Sequence, residues 1–407
     1  MGFPLAEHRS GFVLMEDIHE FIEHAIGGDV RDPYPEFARK RALAPVHKQV
    51  GFDGRSTVYG VYTYEAISEV LRHPETFSSR VYAPAIGMVF GPSILQMDGT
   101  EHHSHRALIG GSFRRTALEG RIASLIEPTV HELIDGFVAR GHAELVREFT
   151  FRYPIRIIAR LLGLPTSDYD RFARLSIELI SIATNIEKGL AASEALRDYF
   201  STVLRQKRTA RADDLISDLA FAEIDGERLS DEEIVAFLRL LLTAGVETTY
   251  RLLGTLLLAL LREPAQLALV AKDRSLITAA IEEALRWEAP VQTITREPVK
   301  DVELAGVSIP ESAHVTLWLG SANHDETVFD DPDRFDVHRD GPGHLAFAEG
   351  PHRCVGEHLA RVETTVAMNG LLDRLGDIEL EPGEWDPHVR GIPFRSPNAV
   401  PVRFTPA

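Results

Sequence analysis

The sequence has little cysteine and a deficit of positive charge. Cys354 is the single cysteine among 407 residues. It cannot form an intramolecular disulfide, so a reducing cytoplasm is the expected compartment. The 43 Lys and Arg residues are outnumbered by 61 Asp and Glu, which gives a formal net charge of −18. Because this charge repels phosphate backbones and anionic lipid surfaces, neither nucleic acid nor a membrane is an expected partner.

Long apolar runs, internal repeats and linkers are also missing. The most apolar stretch, 252–261, is shorter than the roughly 20 residues that a membrane helix needs. The N-terminal segment carries charges where a signal peptide needs an apolar core. Since no Pro/Gly/Ser-rich segment divides the chain, we predict one domain spanning residues 1–407.

Helical periodicity dominates the chain between residues 100 and 290. Ser230 and the acidic residues 231–233 form a capping-box pattern, and the apolar pattern that follows runs to Leu261. Such a helix would have about 32 residues and a length of about 48 Å. The segments 46–50 and 57–61, separated by glycines and an aspartate, are predicted to form a β-hairpin. Further short strands are predicted at 292–296, 302–309 and 315–319, and the Gly/Pro-rich segment 77–97 is predicted to be a long loop. The predicted fold class is therefore mainly α with a small β region.

Cys354 lies at the end of a turn-rich loop, directly before a helical pattern at 357–372. The free backbone N–H groups and the dipole of a helix N-terminus favour a thiolate. A thiolate of this kind could hold a metal. A buried structural cysteine, the commonest fate of an isolated cysteine, and a catalytic cysteine nucleophile are the alternatives.

A second segment, 244–249, lies in the middle of the long predicted helix and reads Ala-Gly-Val-Glu-Thr-Thr. Gly245 destabilises a helix by about 1 kcal/mol relative to alanine, so close approach of a flat ligand would explain its presence. Thr248 follows Ala244 by four residues, so its hydroxyl can bond the Ala244 carbonyl and loosen the helix there. An ordinary helix with two threonines and an exposed Glu247 is the alternative.

A third segment, 98–106, contains three histidines and one arginine. The histidines invite a zinc site, but on a helix they point in different directions. His102 and Arg106 are four residues apart and share one face, which suits an anionic carboxylate. Arg296, on a predicted strand, is a further cation of this kind. A solvated basic face is the other alternative.

Together these segments resemble the cytochromes P450. Residues 347–356 (FAEGPHRCVG), continued by Leu359-Ala360-Arg361, are similar to the cysteine loop of that family, and 244–249 are similar to its oxygen-activation segment. Ala348 departs from the pattern, since glycine is common there, and this should alter loop stiffness more than ligation. Glu283, Arg286 and Arg339 resemble the structural Glu-Arg-Arg triad of the family.

The resemblance implies a single triangular, α-rich domain that binds haem b (iron protoporphyrin IX), with Cys354 as the axial thiolate and the metal ligand. Four side chains would contact the haem propionates: His102, Arg106, Arg296 and His352. Four further residues would pack against the macrocycle or its sulfur side: Ala244, Gly245, Phe347 and Gly356.

The implied activity is a monooxygenase that inserts one atom of O2 into a small or medium apolar substrate, with Glu247 and Thr248 delivering protons. Electrons are expected from a separate ferredoxin-type donor and its reductase, docking at Arg114, Arg115, Arg353 and Arg361. The substrate pocket is expected at 81–95, 175–186, 241, 244, 291–294 and 392–394. A peroxide-dependent peroxygenase and a haem-binding recruitment protein without oxygenase activity are the alternatives.

Overall fold

The computed structural model describes residues 28–51, 54–113, 120, 122–183, 185–383 and 386–407. The helices in these ranges are α1 (Tyr34–Leu43), α2 (Tyr64–Arg72), α3 (Ala83–Phe90), α4 (Gly99–Gly110), α5 (Glu127–Asp135), α6 (Arg152–Leu161), α7 (Tyr169–Ile180), α8 (Ile186–Thr209), α9 (Leu215–Phe221), α10 (Asp231–Leu241), α11 (Glu247–Arg262), α12 (Pro264–Lys272), α13 (Leu276–Trp287), α14 (Leu319–Ala322) and α15 (Glu357–Arg374). The mainly α fold class is confirmed.

The strands are short and lie beside the helices. They are β1 (Val46–Val50), β2 (Thr57–Val61), β3 (Phe77–Ser78), β4 (His142–Glu144), β5 (Thr293–Pro298), β6 (Val302–Leu304), β7 (Val307–Ile309), β8 (His314–Trp318), β9 (Leu375–Leu380), β10 (Val389–Arg390), β11 (Ser396–Pro397) and β12 (Pro401–Pro406). The largest sheet has the order β1-β2-β8-β5-β3, and β2 pairs with β8 in parallel. The predicted hairpin of β1 and β2 is confirmed, whereas the strand predicted at 302–309 is a hairpin of β6 and β7.

The prediction that 77–97 is a loop is wrong, because the segment contains the helix α3. Pro84 lies in the first turn of α3, where its missing N–H removes no helical hydrogen bond. Gly91 ends the helix with a φ of 84°. The glycines and prolines of this segment thus mark the ends of a short helix.

The predicted long helix is present, with a defect in its middle. Ser230 and Glu233 form the predicted capping box at the start of α10. A π-helical turn at Leu242–Val246 then joins α10 to α11, so the element runs from Asp231 to Arg262. It is long and apolar enough to cross a membrane, but 83% of its most apolar window is buried inside the protein. Its apolar composition is therefore that of a core helix.

A buried ionic cluster fixes α13 behind the cysteine loop. Arg286 donates from Nε and Nη2 to the two carboxylate oxygens of Glu283, each at 2.8 Å. Arg339 donates from Nε to Glu283 Oε1 at 3.0 Å, and Arg286 Nη1 binds the carbonyl of Pro332 at 2.8 Å. The structure thus forms the triad that the resemblance implied.

Candidate active site

A cavity of about 300 Å³ lies between the middle of the long helix and the cysteine loop. Ala244 and Thr248 line it from the helix, and Phe347 and Cys354 line it from the loop. The structure therefore brings the cysteine loop and the segment 244–249 together around one cavity.

Cys354 is held by the backbone of its own loop. Its N–H donates to the carbonyl oxygen of Phe347 at 2.9 Å, and α15 begins three residues later at Glu357. The side chain keeps accessible surface, and the space onto which it opens is the cavity. The sulfur is thus placed to bind a group inside the cavity.

The backbone at the start of α15 favours a thiolate at Cys354, because the Gly356 N–H lowers the pKa of the thiol. Burial raises the pKa of the Cys354 thiol, and this effect exceeds the opposing effects of the Gly356 N–H and of the nearby Arg106 and Arg361 charges. A metal cation bound to the sulfur would supply the missing stabilisation of the thiolate.

Two arginines face the cavity without a carboxylate. Arg106 on α4 and Arg296 on β5 both line it, and among the described residues no acidic side chain forms an ion pair with either. Arg296 is 5% exposed and hydrogen-bonds the carbonyl of Thr295 at 2.8 Å, and burial lowers the pKa of both guanidinium groups. Because a buried cation is costly when unpaired, this arrangement fits a ligand that carries acidic groups of its own.

Two histidines complete this side of the cavity. The rings of His102 and His352 lie 4.0 Å apart between centroids. Burial, together with the charges of His352 and Arg106, lowers the pKa of His102 to about 4. His102 is therefore neutral at pH 7 and can offer a hydrogen bond but no charge. His352 is held by Asp98, whose Oδ1 lies 3.1 Å from Nε2.

The cavity and its donors fit the haem that the family motifs imply. The sulfur of Cys354 could bind the iron, while Arg106 and Arg296, with the hydrogen-bonding ring of His102, could bind two propionates. The unpaired guanidinium groups are the observation that carries this fit, since the two negative charges of the propionates would balance them.

Thr248 lines the cavity beside the π-helical turn. Its hydroxyl donates to the carbonyl oxygen of Ala244 at 2.6 Å, as the four-residue spacing predicted. This carbonyl lies within the π-helical turn, where helical hydrogen bonding is irregular, and the threonine satisfies it. The widened turn therefore places a hydroxyl group at the cavity wall.

Glu247 points away from the cavity. It is 3% exposed, and Arg251 donates to it from Nη2 at 2.8 Å. Burial raises the pKa of Glu247, and the adjacent Arg251 charge opposes this rise. Arg251 also donates to Ser396 Oγ at 3.0 Å, which ties the pair to β11. Glu247 is thus a buried, ion-paired acid next to Thr248 in the chain.

Three residues that were predicted to lie against a flat ligand have different surroundings in the structure. Gly245 is absent from the described wall of the cavity, and a Cβ placed there would come 2.9 Å from Ile158 Cδ1 on α6. A Cβ at Gly356 would meet only the sulfur of Cys354, at 3.9 Å. Phe347 lines the cavity, and the guanidinium carbon of Arg361 lies 4.6 Å from its ring centre. The closest neighbour of Gly245 is therefore a side chain of α6.

Sequence reasoning missed two buried charged residues, Arg251 and Glu363, and one polar residue at the cavity. Tyr82 lines it and accepts the Thr295 N–H at 2.7 Å. Glu363 on α15 is fully buried, and its Oε1 has no partner among the described residues. Burial raises the pKa of Glu363 to about 8. Arg251 had a readable signal, since it follows Glu247 by four residues on a helix, whereas Glu363 had none.

The expected substrate walls are present in part. Residues from 81–95 and 291–294 line the cavity, and Leu240 lies on its wall where Leu241 was expected. Leu241 is instead 7% exposed within the core. The lining residues found in the described ranges do not include 175–186 or 392–394.

The histidine segment does not form a metal cluster. His105 Nε2 lies 2.7 Å from Glu233 Oε1, which ties α4 to the start of α10. Within the described ranges, no group of three or more His, Cys, Asp or Glu side chains is placed to hold a metal ion. The three histidines therefore diverge, as a helix requires.

The proposed docking arginines are partly neutralised. Arg353 and Arg361 both bind the carboxylate of Glu357, at 2.7 and 2.8 Å. Arg361 also binds Glu282 at 2.6 Å. The remaining two arginines, Arg114 and Arg115, lie outside the described residues.

Comparison with known proteins agrees with this geometry. The sequence profile described as Cytochrome P450 matches residues 166–384. The chain is 38% identical to cytochrome P450 107B1 of Saccharopolyspora erythraea, over 79% of each protein. It is 37% identical to the vitamin D(3) 25-hydroxylase of Pseudonocardia autotrophica, over 87% of this chain and 89% of that one. The structure of CYP109Q5 from Chondromyces apiculatus superposes with a TM-score of 0.84 at 37% identity, covering 93% of this chain and 96% of that one.

Proposed function

The chain belongs to the cytochrome P450 family, and from this premise we propose that Cys354 ligates a haem b whose propionates bind Arg106 and Arg296. The chain is a monooxygenase that uses O2, an organic substrate and separate redox partners, as its relatives do. Haem bound through a thiolate supplies the redox-active iron that activates dioxygen, and electron donation from sulfur favours O–O cleavage.

The observation that carries the proposal is the set of groups around one cavity. A cysteine with accessible sulfur and two arginines without carboxylate partners line it together with the Thr248 hydroxyl. Two cations without counter-ions are costly beside an apolar cavity, so their position next to a thiol and a hydroxyl supports a ligand that carries negative charge.

Thr248 is proposed to hold a proton at its Oγ1 for transfer to dioxygen. The hydroxyl is oriented by the Ala244 carbonyl, so its position at the cavity wall is fixed before substrate binds. Glu247 is proposed to relay protons from its buried pair with Arg251 to this hydroxyl. Burial raises the pKa of Glu247, which favours uptake of a proton by its carboxylate.

The substrate is proposed to be a small or medium apolar molecule. Ile94, Leu95, Leu240, Val291 and Ile294 form an aliphatic part of the cavity wall. The charged side chains on the wall are those assigned above to the haem propionates and Arg353 of the cysteine loop, so apolar burial would supply most of the affinity. The relative that acts on vitamin D(3) supports an apolar substrate class.

The electron donor is proposed to be a separate ferredoxin with its reductase, and the compartment the cytoplasm. The exposed Arg353, next to Cys354 in the chain, supports docking of an acidic partner on this side. Arg353→Glu should slow reduction by ferredoxin, and an unaltered rate of reduction would contradict docking at Arg353. The single cysteine supports the reducing compartment.

The spectrum of the reduced, haem-loaded protein with carbon monoxide tests the proposal. A strongly red-shifted Soret band is expected from the chain, and its loss with retained haem from Cys354→His. Arg106→Met and Arg296→Met together should weaken haem retention without removing the red shift of the fraction that stays loaded. A protein that binds no haem would overturn the proposal.

A further inference from the structure

Arg239 on α10 is a buried arginine without a counter-ion. It is 7% exposed, and in the described part of the chain no carboxylate lies within ion-pair distance of it. Burial lowers the pKa of its guanidinium group, although Glu194 and Glu232 lie in its surroundings. A cation in this position needs hydrogen-bond acceptors, because these two carboxylates lie beyond ion-pair distance and the guanidinium group has lost most of its water.

The acceptors come from the end of α3. Arg239 Nη2 donates to the carbonyl oxygen of Phe90 at 2.6 Å, and Nη1 donates to that of Val89 at 3.2 Å. Nη1 also donates to Ser193 Oγ at 3.0 Å, and the Ser193 hydroxyl donates in turn to the Val89 carbonyl. The last carbonyls of a helix lack intrahelical partners and carry the negative end of its dipole, so a cation is favoured there.

The local backbone is shaped to allow this contact. Gly91 follows α3 with a φ of 84°, and a Cβ at this position would come 3.2 Å from Arg239 Nη2 and 3.4 Å from Ala236 Cβ. The chain therefore turns away from α10 at the one residue type that leaves room for the guanidinium group. Arg239 joins α3, α8 and α10 at one point.

This point lies beside the cavity. Tyr82 immediately precedes α3, and Ile94 and Leu95 follow it by four and five residues; all three line the cavity. Leu240, the neighbour of Arg239 on α10, lines it as well. A shift of α3 along or away from α10 would thus move two parts of the wall at once.

We propose that Arg239 is a positioning residue that fixes α3 against α10 and thereby sets the size of ligand that the cavity accepts. The proposal rests on the proposed function, since it takes the cavity to be the substrate site. Arg239 is not among the described residues that line the cavity. It acts through the two carbonyl groups at the end of α3.

The test uses the haem-loaded protein and the variants Arg239→Met, Arg239→Lys and Arg197→Met. Arg197 is the matched control, because it is a nearby exposed arginine on α8 that pairs with Glu194 and does not bind α3. Imidazole and 4-phenylimidazole serve as a small and a bulky ligand, followed by absorbance. Amide hydrogen exchange of residues 83–91 is measured on the same proteins.

Arg239→Met should accelerate exchange in 83–91 about tenfold, the change expected when two hydrogen bonds are lost. It should also raise the affinity for 4-phenylimidazole relative to imidazole about fivefold or more, with Arg239→Lys intermediate and Arg197→Met like the parent. A purely structural role would alter exchange throughout the protein and leave the affinity ratio unchanged. Should Arg239→Met not fold, Ser193→Ala removes one of the two donors to Val89 and should show a smaller change in the same direction.

Unchanged exchange in 83–91, or an unchanged affinity ratio, overturns the assignment of Arg239. A different result would contradict the proposed function, namely that none of these proteins binds haem. In that case the exchange measurement still decides whether Arg239 holds α3.

Discussion

The Thr248 hydroxyl lies 2.6 Å from the carbonyl oxygen of Ala244, on the cavity side of the π-helical turn that joins α10 to α11. Glu247, the preceding residue, is turned into the protein and bound to Arg251. Adjacent residues of one helix thus present a hydroxyl group to the cavity and a carboxylate to the interior. The two side chains point in different directions because neighbouring residues lie about 100° apart around the helix axis.

Thr248→Ala should separate electron consumption from product formation. Without the hydroxyl, proton delivery in the oxygen-activating step loses its donor, and the rate of product formation should fall roughly 10²-fold, the lower end for general acid catalysis. Hydrogen peroxide released per electron pair should rise, and ligand affinity should not change. Thr248→Ser keeps a hydroxyl and is the control. An equal yield of product per electron pair in the parent and in Thr248→Ala would contradict the role given to Thr248.

Arg251→Met should destabilise the protein by about 3 to 5 kcal/mol, because it leaves Glu247 buried without its cation. The pKa of Glu247 should rise further for the same reason. The double variant Glu247→Gln/Arg251→Met should recover part of this loss in thermal unfolding. Arg403→Met removes an exposed pair with Glu379 and is the control, with an expected cost of about 0 to 1 kcal/mol. Equal costs for the two arginines would rule out a buried, coupled pair.

Glu363→Gln should change the pH dependence of stability. The folded-state pKa of Glu363 is about 8 against an ordinary value of 4.5, so the folded protein binds a proton that the unfolded chain releases between these values. The contribution of Glu363 to the free energy of unfolding is therefore fully present below about pH 4.5 and is lost as the pH rises toward 8. The amide cannot ionise, so the variant should gain melting temperature over the parent at pH 8.5 and not at pH 5. The exposed Glu379→Gln should show no such difference.

Ala348→Gly should stabilise the cysteine loop. Ala348 has a φ of 55°, a left-handed conformation that costs an L-residue about 1 to 2 kcal/mol. The gain is reduced by the extra freedom of glycine in the unfolded chain, which leaves about 0.5 to 1 kcal/mol. Gly350→Ala is the opposite case, since a Cβ there would lie 2.4 Å from the Leu71 carbonyl oxygen, and it should lower the melting temperature. Destabilisation by Ala348→Gly would show that the loop relies on the alanine side chain.

Gly245→Ala tests whether the glycine serves helix packing or a ligand. The added methyl group would press on Ile158, so a loss of about 1 to 3 kcal/mol in stability is expected, with haem retention unchanged. Ile158→Val in the same protein should relieve part of the loss. If haem retention falls while stability is kept, the glycine faces the macrocycle and the packing explanation is wrong.

Local patterns in the sequence predicted much of the framework and the centre of the site. The capping box at Ser230, the hairpin of β1 and β2, and the meeting of Thr248 with the Ala244 carbonyl depend on spacing within a few residues, which a sequence displays directly. The helix α3 was missed because its glycine and proline mark helix ends as readily as loops. The role of Arg239 could not be predicted from the sequence, because its partners Val89 and Phe90 lie more than a hundred residues away in the chain. The raised pKa of Glu363 could not be predicted either, because it depends on complete burial.

Because β2 pairs in parallel with β8, the largest sheet can be completed only after β8 has been synthesised. Val61 lies opposite Leu317, so the strands are separated by roughly 250 residues of chain. At a synthesis rate of 5 to 20 residues per second, β2 waits roughly 13 to 50 s for its partner to leave the ribosome. Until then the β1–β2 hairpin has an open edge, which is a template for wrong pairing. Slowing translation before residue 314 should therefore lower the soluble yield more than slowing it after residue 318.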